Sequence, residues 1–189
     1  MGKLIIFEGL DASGKGTQID LLRSKFNCTV FKYPTHSFSI LDAYLNKKIE
    51  IDRKALFLLF LADIANEQQK LSVALAHYEY VFVDRYVFST IAYELDSITY
   101  QKAKKIVSEI DFIKPDKVVL LDIDSKTAQT RKIKQKKLDR YEENATYLES
   151  VRKNFLKLYE DKFLAEWHKV DAMRSVDEIH KDILNVLKK

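Results

Sequence analysis

Residues 9–17 read Gly-Leu-Asp-Ala-Ser-Gly-Lys-Gly-Thr, and no other stretch constrains the fold as strongly. The apolar segment Leu4-Ile5-Ile6-Phe7 leads into this run, and Gln18-Ile19-Asp20-Leu21-Leu22-Arg23 leaves it with helical spacing. Strand, glycine loop and helix start, in that order, are the context a phosphate-binding loop requires. Gly9 and Gly14 allow tight turns, so that successive N–H groups, through Ala12 and Ser13, can point inward at phosphate oxygens. The N-terminus of the next helix adds partial positive charge, and Lys15 adds a full one. Gly16 stands where a hydroxyl for magnesium is usual, and Thr17 offers one a residue later.

The rest of the chain fits an α/β protein. Strands are expected at Leu4–Phe7, Thr29–Tyr33, Val81–Val83, Val118–Ile123 and near Val170, all rich in Val, Ile, Phe or Tyr. Helical spacing predicts Gln18–Phe26, Lys54–Ala76, Tyr100–Ile110, Tyr147–Leu164 and Val176–Leu187. Apolar strands separated by helices imply a five-stranded parallel sheet covered on both faces, with ligands at the carboxyl ends of its strands. The loops after Phe7, Tyr33 and Val83 should then share one rim. With only four glycines and two prolines in 189 residues, the chain shows no linker, and a single domain spanning 1–189 is expected. The longest apolar run, Ala55–Ala62, is bounded by charges and too short to span a membrane, and the N-terminal run is too short for a secretory signal. Cys28 is the only cysteine, which excludes an internal disulfide and a cysteine-rich metal site. These features favour the cytoplasm. A net charge of +4 is too small to argue for nucleic acid.

Three further sets of residues carry chemistry. Tyr80-Val81-Phe82-Val83 ends in Asp84 and Arg85. A carboxylate there can hold magnesium, directly or through water, beside nucleotide phosphates, and the guanidinium can bridge donor and acceptor phosphates. Asp11, inside the phosphate loop, can accept a hydrogen bond from a sugar hydroxyl or stabilise an Asx turn. The span from Lys126 to Arg140 holds seven Lys or Arg residues against Asp139 and reads as a basic lid at about 131–145, or as a solvated helix face.

Taken in order, these residues resemble the thymidylate kinases among the nucleoside monophosphate kinases. The resemblance rests on Phe7-Glu8-Gly9-Leu10-Asp11 with Gly14-Lys15, on Tyr33-Pro34 and on Leu58-Leu59-Phe60. Asp84-Arg85-Tyr86-Val87-Phe88-Ser89 is its most specific part. Lys114-Pro115-Asp116, Asp139-Arg140-Tyr141-Glu142 and Val170-Asp171-Ala172 follow in the family's order. The resemblance implies a three-layer P-loop kinase fold, transfer of the ATP γ-phosphate to dTMP with magnesium, and a homodimer. It implies that Asp11 holds the acceptor 3′-hydroxyl and that Phe60 stacks on thymine. Arg85 would bind the acceptor phosphate, with Arg131 or Arg140 assisting from the lid. Pro34, His36, Ser89 and Tyr93 would border the acceptor, and Ala172 would pack near adenine.

The chain departs from the family at several positions. Ala12 replaces the arginine common after the loop aspartate, and members of that type carry their basic residues in the lid. His36 and Ile64 stand where the family has arginines that touch the acceptor. A hydrogen bond lost from a base edge is worth several kcal/mol of discrimination, so these exchanges bear on selectivity for dTMP. A kinase of another nucleoside monophosphate such as dUMP, a deoxynucleoside kinase and, more remotely, a P-loop ATPase or switch are the alternatives. Lys15→Ala is expected to abolish turnover and leave the fold intact, which steady-state kinetics beside circular dichroism checks.

Overall fold

The computed structural model describes residues 1–133 and 145–188. Five parallel strands, β1 (Lys3–Glu8), β2 (Cys28–Lys32), β3 (Tyr80–Asp84), β4 (Lys117–Asp122) and β5 (Glu166–Asp171), form one sheet in the order β2-β3-β1-β4-β5. β1 and β3 are central, and Leu4–Glu8 and Tyr80–Asp84 are buried throughout. Strands covered on both faces have no solvent side, which is why their apolar residues run on without alternation. The edge strand β5 buries only Trp167 and Val170. All five strands lie where the sequence places them, shifted by a residue or a few at their ends.

Helix α1 (Lys15–Arg23) packs beside α9 (Val176–Lys188), while α5 (Val87–Tyr93) packs against α8 (Ala145–Glu160), α3 (Arg53–Asn66) and α6 (Tyr100–Glu109). Helices therefore sandwich the sheet in three layers, and one buried cluster extends from Leu4 to Leu187. Asp52 caps α3 by accepting from the N–H groups of Lys54 and Ala55 at 3.0 and 3.2 Å. Such a cap satisfies two of the orphan donors at a helix start.

The expected helix Lys54–Ala76 is two helices, α3 and α4 (Gln68–His77), parted at Glu67. The Ile64 carbonyl accepts from the Glu67 N–H at 3.2 Å and from Gln68 Nε2 at 3.0 Å, so the last turn of α3 tightens. The Gln68 Oε1 meanwhile accepts from the Ile113 N–H and the Tyr86 hydroxyl, tying the break to a neighbouring turn. Three helices, α2 (Ser39–Leu45), α5 and α7 (Ser125–Ile133), were not expected from spacing. α5 is rich in β-branched and aromatic residues, and burial of Val87, Phe88, Thr90, Ile91 and Ala92 overrides that preference. α2 buries Leu41 and Tyr44 against Leu56 of α3 in a separate small cluster. Of the expected lid, residues 131–133 belong to α7, and residues 134–144, Arg140 among them, lie outside the described residues.

The loop after β1 requires glycine at its first position. Gly9 has φ +135°, and a Cβ there would collide with the Leu121 carbonyl oxygen of β4. Gly9→Ala is expected to destabilise the fold by at least about 1–3 kcal/mol, the usual cost of such a backbone, before the collision is counted. Urea unfolding of the two proteins measures the difference.

Candidate active site

The parallel register of β1 and β3 sets Phe7 opposite Asp84, and the Arg85 N–H extends the ladder to the Phe7 carbonyl at 3.0 Å. The Tyr33 N–H donates to the Asp84 carbonyl at 3.1 Å. The three loops therefore open on one rim. Gly14 caps α1 in a left-handed conformation (φ +96°), and a Cβ added at Gly14 or Gly16 would meet nothing within 4 Å. The space beside both glycines is therefore open, as a phosphate cradle requires. Lys15, the first residue of α1, folds back to donate to the carbonyls of Gly9 and Leu10 at 3.0 and 2.9 Å. Burial, and then the Arg85 charge, bring its amine down to about 8, against the pull of Asp84, Asp11 and Glu8. Two buried oxygens beside the loop, Ser13 Oγ and Asp84 Oδ1, lack a hydrogen-bond partner among the described residues. Orphans of this kind cost about 1–3 kcal/mol each and point to a ligand that satisfies them.

Next to the loop lies a cavity of about 320 Å³. Its polar side holds Asp11, Arg85 and Lys132; its apolar side is Leu56, Phe57, Phe60 and Ile64 of α3. Pro34, His36, Ser89 and Tyr93 are among the other residues that border it. Arg85 adopts a left-handed backbone (φ +70°), as do Ala12 (+57°) and His36 (+63°) at the same rim. Non-glycine residues in that conformation carry strain that the surroundings must hold, and such residues gather at functional sites. The Arg85 guanidinium donates to Asp11 Oδ1 at 2.8 Å and to Ser89 Oγ at 3.0 Å, and lies 5.2 Å from the centre of the Tyr93 ring. Burial alone would raise the Asp11 carboxyl; Arg85, Lys15 and Lys132 together hold it well below the usual carboxylate range. The loop carrying His36 is pinned to α3, because the buried Asp63 accepts from the Thr35 N–H (2.8 Å) and hydroxyl (2.5 Å).

Not every candidate residue faces the same space. Thr17 is exposed on α1. His36 lies at the mouth of the cavity, its Nδ1 2.6 Å from Asp42 Oδ1. Ala172 is fully buried, its N–H bonded to the Asp122 carbonyl at 2.9 Å and its carbonyl taken by Arg131. Arg131 points away from the cavity and donates to the Ala172 carbonyl at 3.0 Å. The next residue, Lys132, reaches the cavity instead, its Nζ 4.0 Å from Asp11. Helix geometry sends adjacent residues to different faces, and the count of basic residues could not choose between them.

Glu8, Arg53 and Asp63 were missed as site residues. Arg53 lines the cavity from α3 and donates to the Tyr93 carbonyl at 3.3 Å. Glu8 had one signal, a carboxylate closing a wholly apolar strand. It is fully buried, and burial pushes it from 4.5 to about 7 against hydrogen bonds from Ser89 and Tyr86 and the charges of Arg85 and Lys15.

A phosphate cradle beside a separate cavity floored by a guanidinium is the arrangement of a P-loop kinase acting on a small phosphorylated molecule, and the chain is of that class. It belongs to the thymidylate kinase family, whose model matches residues 7–183. It is 35% identical to a probable thymidylate kinase of Methanocaldococcus jannaschii, over 97% of this chain and 95% of that protein. It is 31% identical to the thymidylate kinase of Caenorhabditis elegans, over 98% of this chain and 89% of that one. The solved structure of the Candida albicans thymidylate kinase superposes with a TM-score of 0.79 at 25% identity, covering 99% of this chain and 91% of that one. No helix among the described residues is long and apolar enough to cross a membrane.

The raised Glu8 carboxyl has a consequence for stability. Between 4.5 and about 7 the folded protein holds a proton there that the unfolded chain has released. Stability contributed by this group is therefore full below 4.5 and falls as pH rises through about 7. Glu8→Gln is expected to remove that part of the slope, which thermal unfolding from pH 4.5 to 8 measures.

Proposed function

We propose that the Gly9–Thr17 loop, Arg85 and Asp84 carry the phosphoryl transfer of a thymidylate kinase, from ATP to dTMP, giving dTDP and ADP. The observation that supports these roles best is the pairing of Arg85 with Asp11 on the floor of a cavity that opens beside the phosphate loop.

Phosphoryl transfer needs positioning and charge neutralisation more than bond-making groups from the protein. The N–H groups from Gly9 to Lys15 cradle the donor phosphates. Lys15 exchanges the carbonyls of Gly9 and Leu10 for β- and γ-phosphate oxygens, which are stronger partners for an ammonium. Arg85 spans the acceptor phosphate and the migrating group, and Lys132 adds charge on the same side. Asp11 orients Arg85 and offers its second oxygen to a sugar hydroxyl. Phe60, with Phe57 behind it, presents an apolar face to the base, while Tyr93 closes the sugar end. No residue is needed as general base, because the acceptor phosphate is already an anion.

The residues fit magnesium in one place. Asp84 Oδ1 is buried and unpartnered among the described residues, whereas Gly16 has no side-chain oxygen to give. Asp84 would hold the ion, with phosphate oxygens and water as its remaining ligands. When bound, magnesium neutralises phosphate charge. Thr17, exposed on α1, is the weaker candidate. The whole chain is read as one domain. A homodimer belongs to the same proposal, supported by the exposed apolar side chains of Leu58 on α3 and Val73 on α4.

Ile64 lines the cavity where an arginine would supply hydrogen bonds to a base, which favours looser choice among acceptors. A coupled ADP-release assay with dTMP, dUMP, dCMP, dGMP, AMP and thymidine tests the function. The expected result is fastest turnover with dTMP and measurable turnover with dUMP. Fast turnover of thymidine without dTMP, or slow hydrolysis independent of any acceptor, would overturn it.

A further inference from the structure

Glu8 closes β1, one residue before the phosphate loop, and lies under the turn that carries Arg85. Its Oε1 accepts from the backbone N–H groups of Tyr86 at 2.8 Å and Ser89 at 3.3 Å. Its Oε2 accepts from the Ser89 hydroxyl at 2.6 Å. The Ser89 oxygen in turn accepts from Arg85 Nη1 at 3.0 Å, while Nη2 reaches Asp11. One carboxylate thus anchors the first turn of α5, just beyond the left-handed backbone of Arg85, and also fixes the direction of the hydroxyl that meets the guanidinium.

We propose that Glu8 is a positioning residue for the transfer, acting through the Ser89 hydroxyl to hold the Arg85 guanidinium at the cavity floor. The proposal rests on the role assigned to Arg85 above. An ionised Glu8 makes Ser89 donate toward β1, which leaves the hydroxyl lone pairs for Arg85. A neutral amide or a protonated carboxyl at position 8 reverses that bond. The hydroxyl then spends one lone pair on position 8 and must turn its proton to another acceptor, so the lone pair that meets the Arg85 guanidinium is redirected. The charged groups facing Glu8 are Arg85 from the turn after β3 and Lys15 from α1, and the hydrogen-bonding groups are those of Tyr86 and Ser89. On the β4 side its register partner is the apolar Leu120. A fully buried carboxylate is costly unless its charge is used, and structural anchoring of two N–H groups could be done by a neutral amide.

Kinetics at pH 8 on Glu8→Gln, Ser89→Ala and the double variant, with thermal unfolding of each, test this. Glu8→Gln is expected to lower kcat about ten- to a hundredfold, the scale of a misplaced catalytic group, with the KM for ATP little changed. Its melting temperature is expected not to fall, because the amide keeps the backbone acceptor and removes a buried charge. Ser89→Ala is expected to lower kcat similarly, and the double variant to be no worse than the poorer single one. Unchanged kcat in Glu8→Gln, additive losses in the double variant, or a kcat loss matched by a loss of folded protein would each overturn the proposal. Arg85→Lys separates the two levels of the argument. A crippled Arg85→Lys beside a fully active Glu8→Gln sinks only the role of Glu8. An active Arg85→Lys sinks the reading of Arg85 on which it rests.

Discussion

The parallel pairing of β1 with β3 governs everything at the rim of this protein. Because Phe7 lies opposite Asp84, the phosphate loop and the Asp84–Arg85 turn leave the sheet side by side, and the Arg85 N–H still bonds to β1. A slip of one residue would turn every side chain of a strand to the other face. Glu8 would leave Ser89, and Arg85 would leave Asp11. The register is held by close packing on both faces of two buried strands, where a slip would misfit every side chain against its neighbours.

Positive charge exceeds negative at the site: Lys15, Arg85, Lys132 and Lys32 gather around the two carboxylates Asp11 and Asp84, with Lys32 Nζ 3.4 Å from Asp84. Lys15 rests on carbonyl oxygens of its own loop. Phosphates bound as proposed would compete with these carbonyls, which are weaker acceptors for an ammonium, with no rebuilding of the backbone. Pre-set donors of this kind do not have to reorganise during the reaction, which is the main way a protein speeds phosphoryl transfer.

Much of this was legible along the chain. The order of strand, Gly9 loop and helix, and the strand ending in Asp84, depend on local sequence alone. The five strands were found because apolar runs of β-branched and aromatic residues have few other uses. α5 was not found, because Val87–Tyr93 has the composition of a strand and becomes helical only through its burial against α8 and α3. The division at Glu67 was equally hidden, since it depends on a glutamine side chain reaching Ile64 and a distant turn.

For the site itself, sequence determined which chemical groups are present: a phosphate loop, a carboxylate and guanidinium at a neighbouring strand end, and a basic span near residue 131. It also determined what is missing, the arginines absent at 36 and 64. Tertiary structure decided which groups meet. It brought Lys132 rather than Arg131 to the cavity beside the phosphate loop, turned Arg131 to the Ala172 carbonyl, and set Glu8 beneath Ser89 and Arg85. The reason is that local spacing fixes which face of an element a residue occupies, whereas contacts between residues 78 or 81 positions apart exist only after the strands have paired.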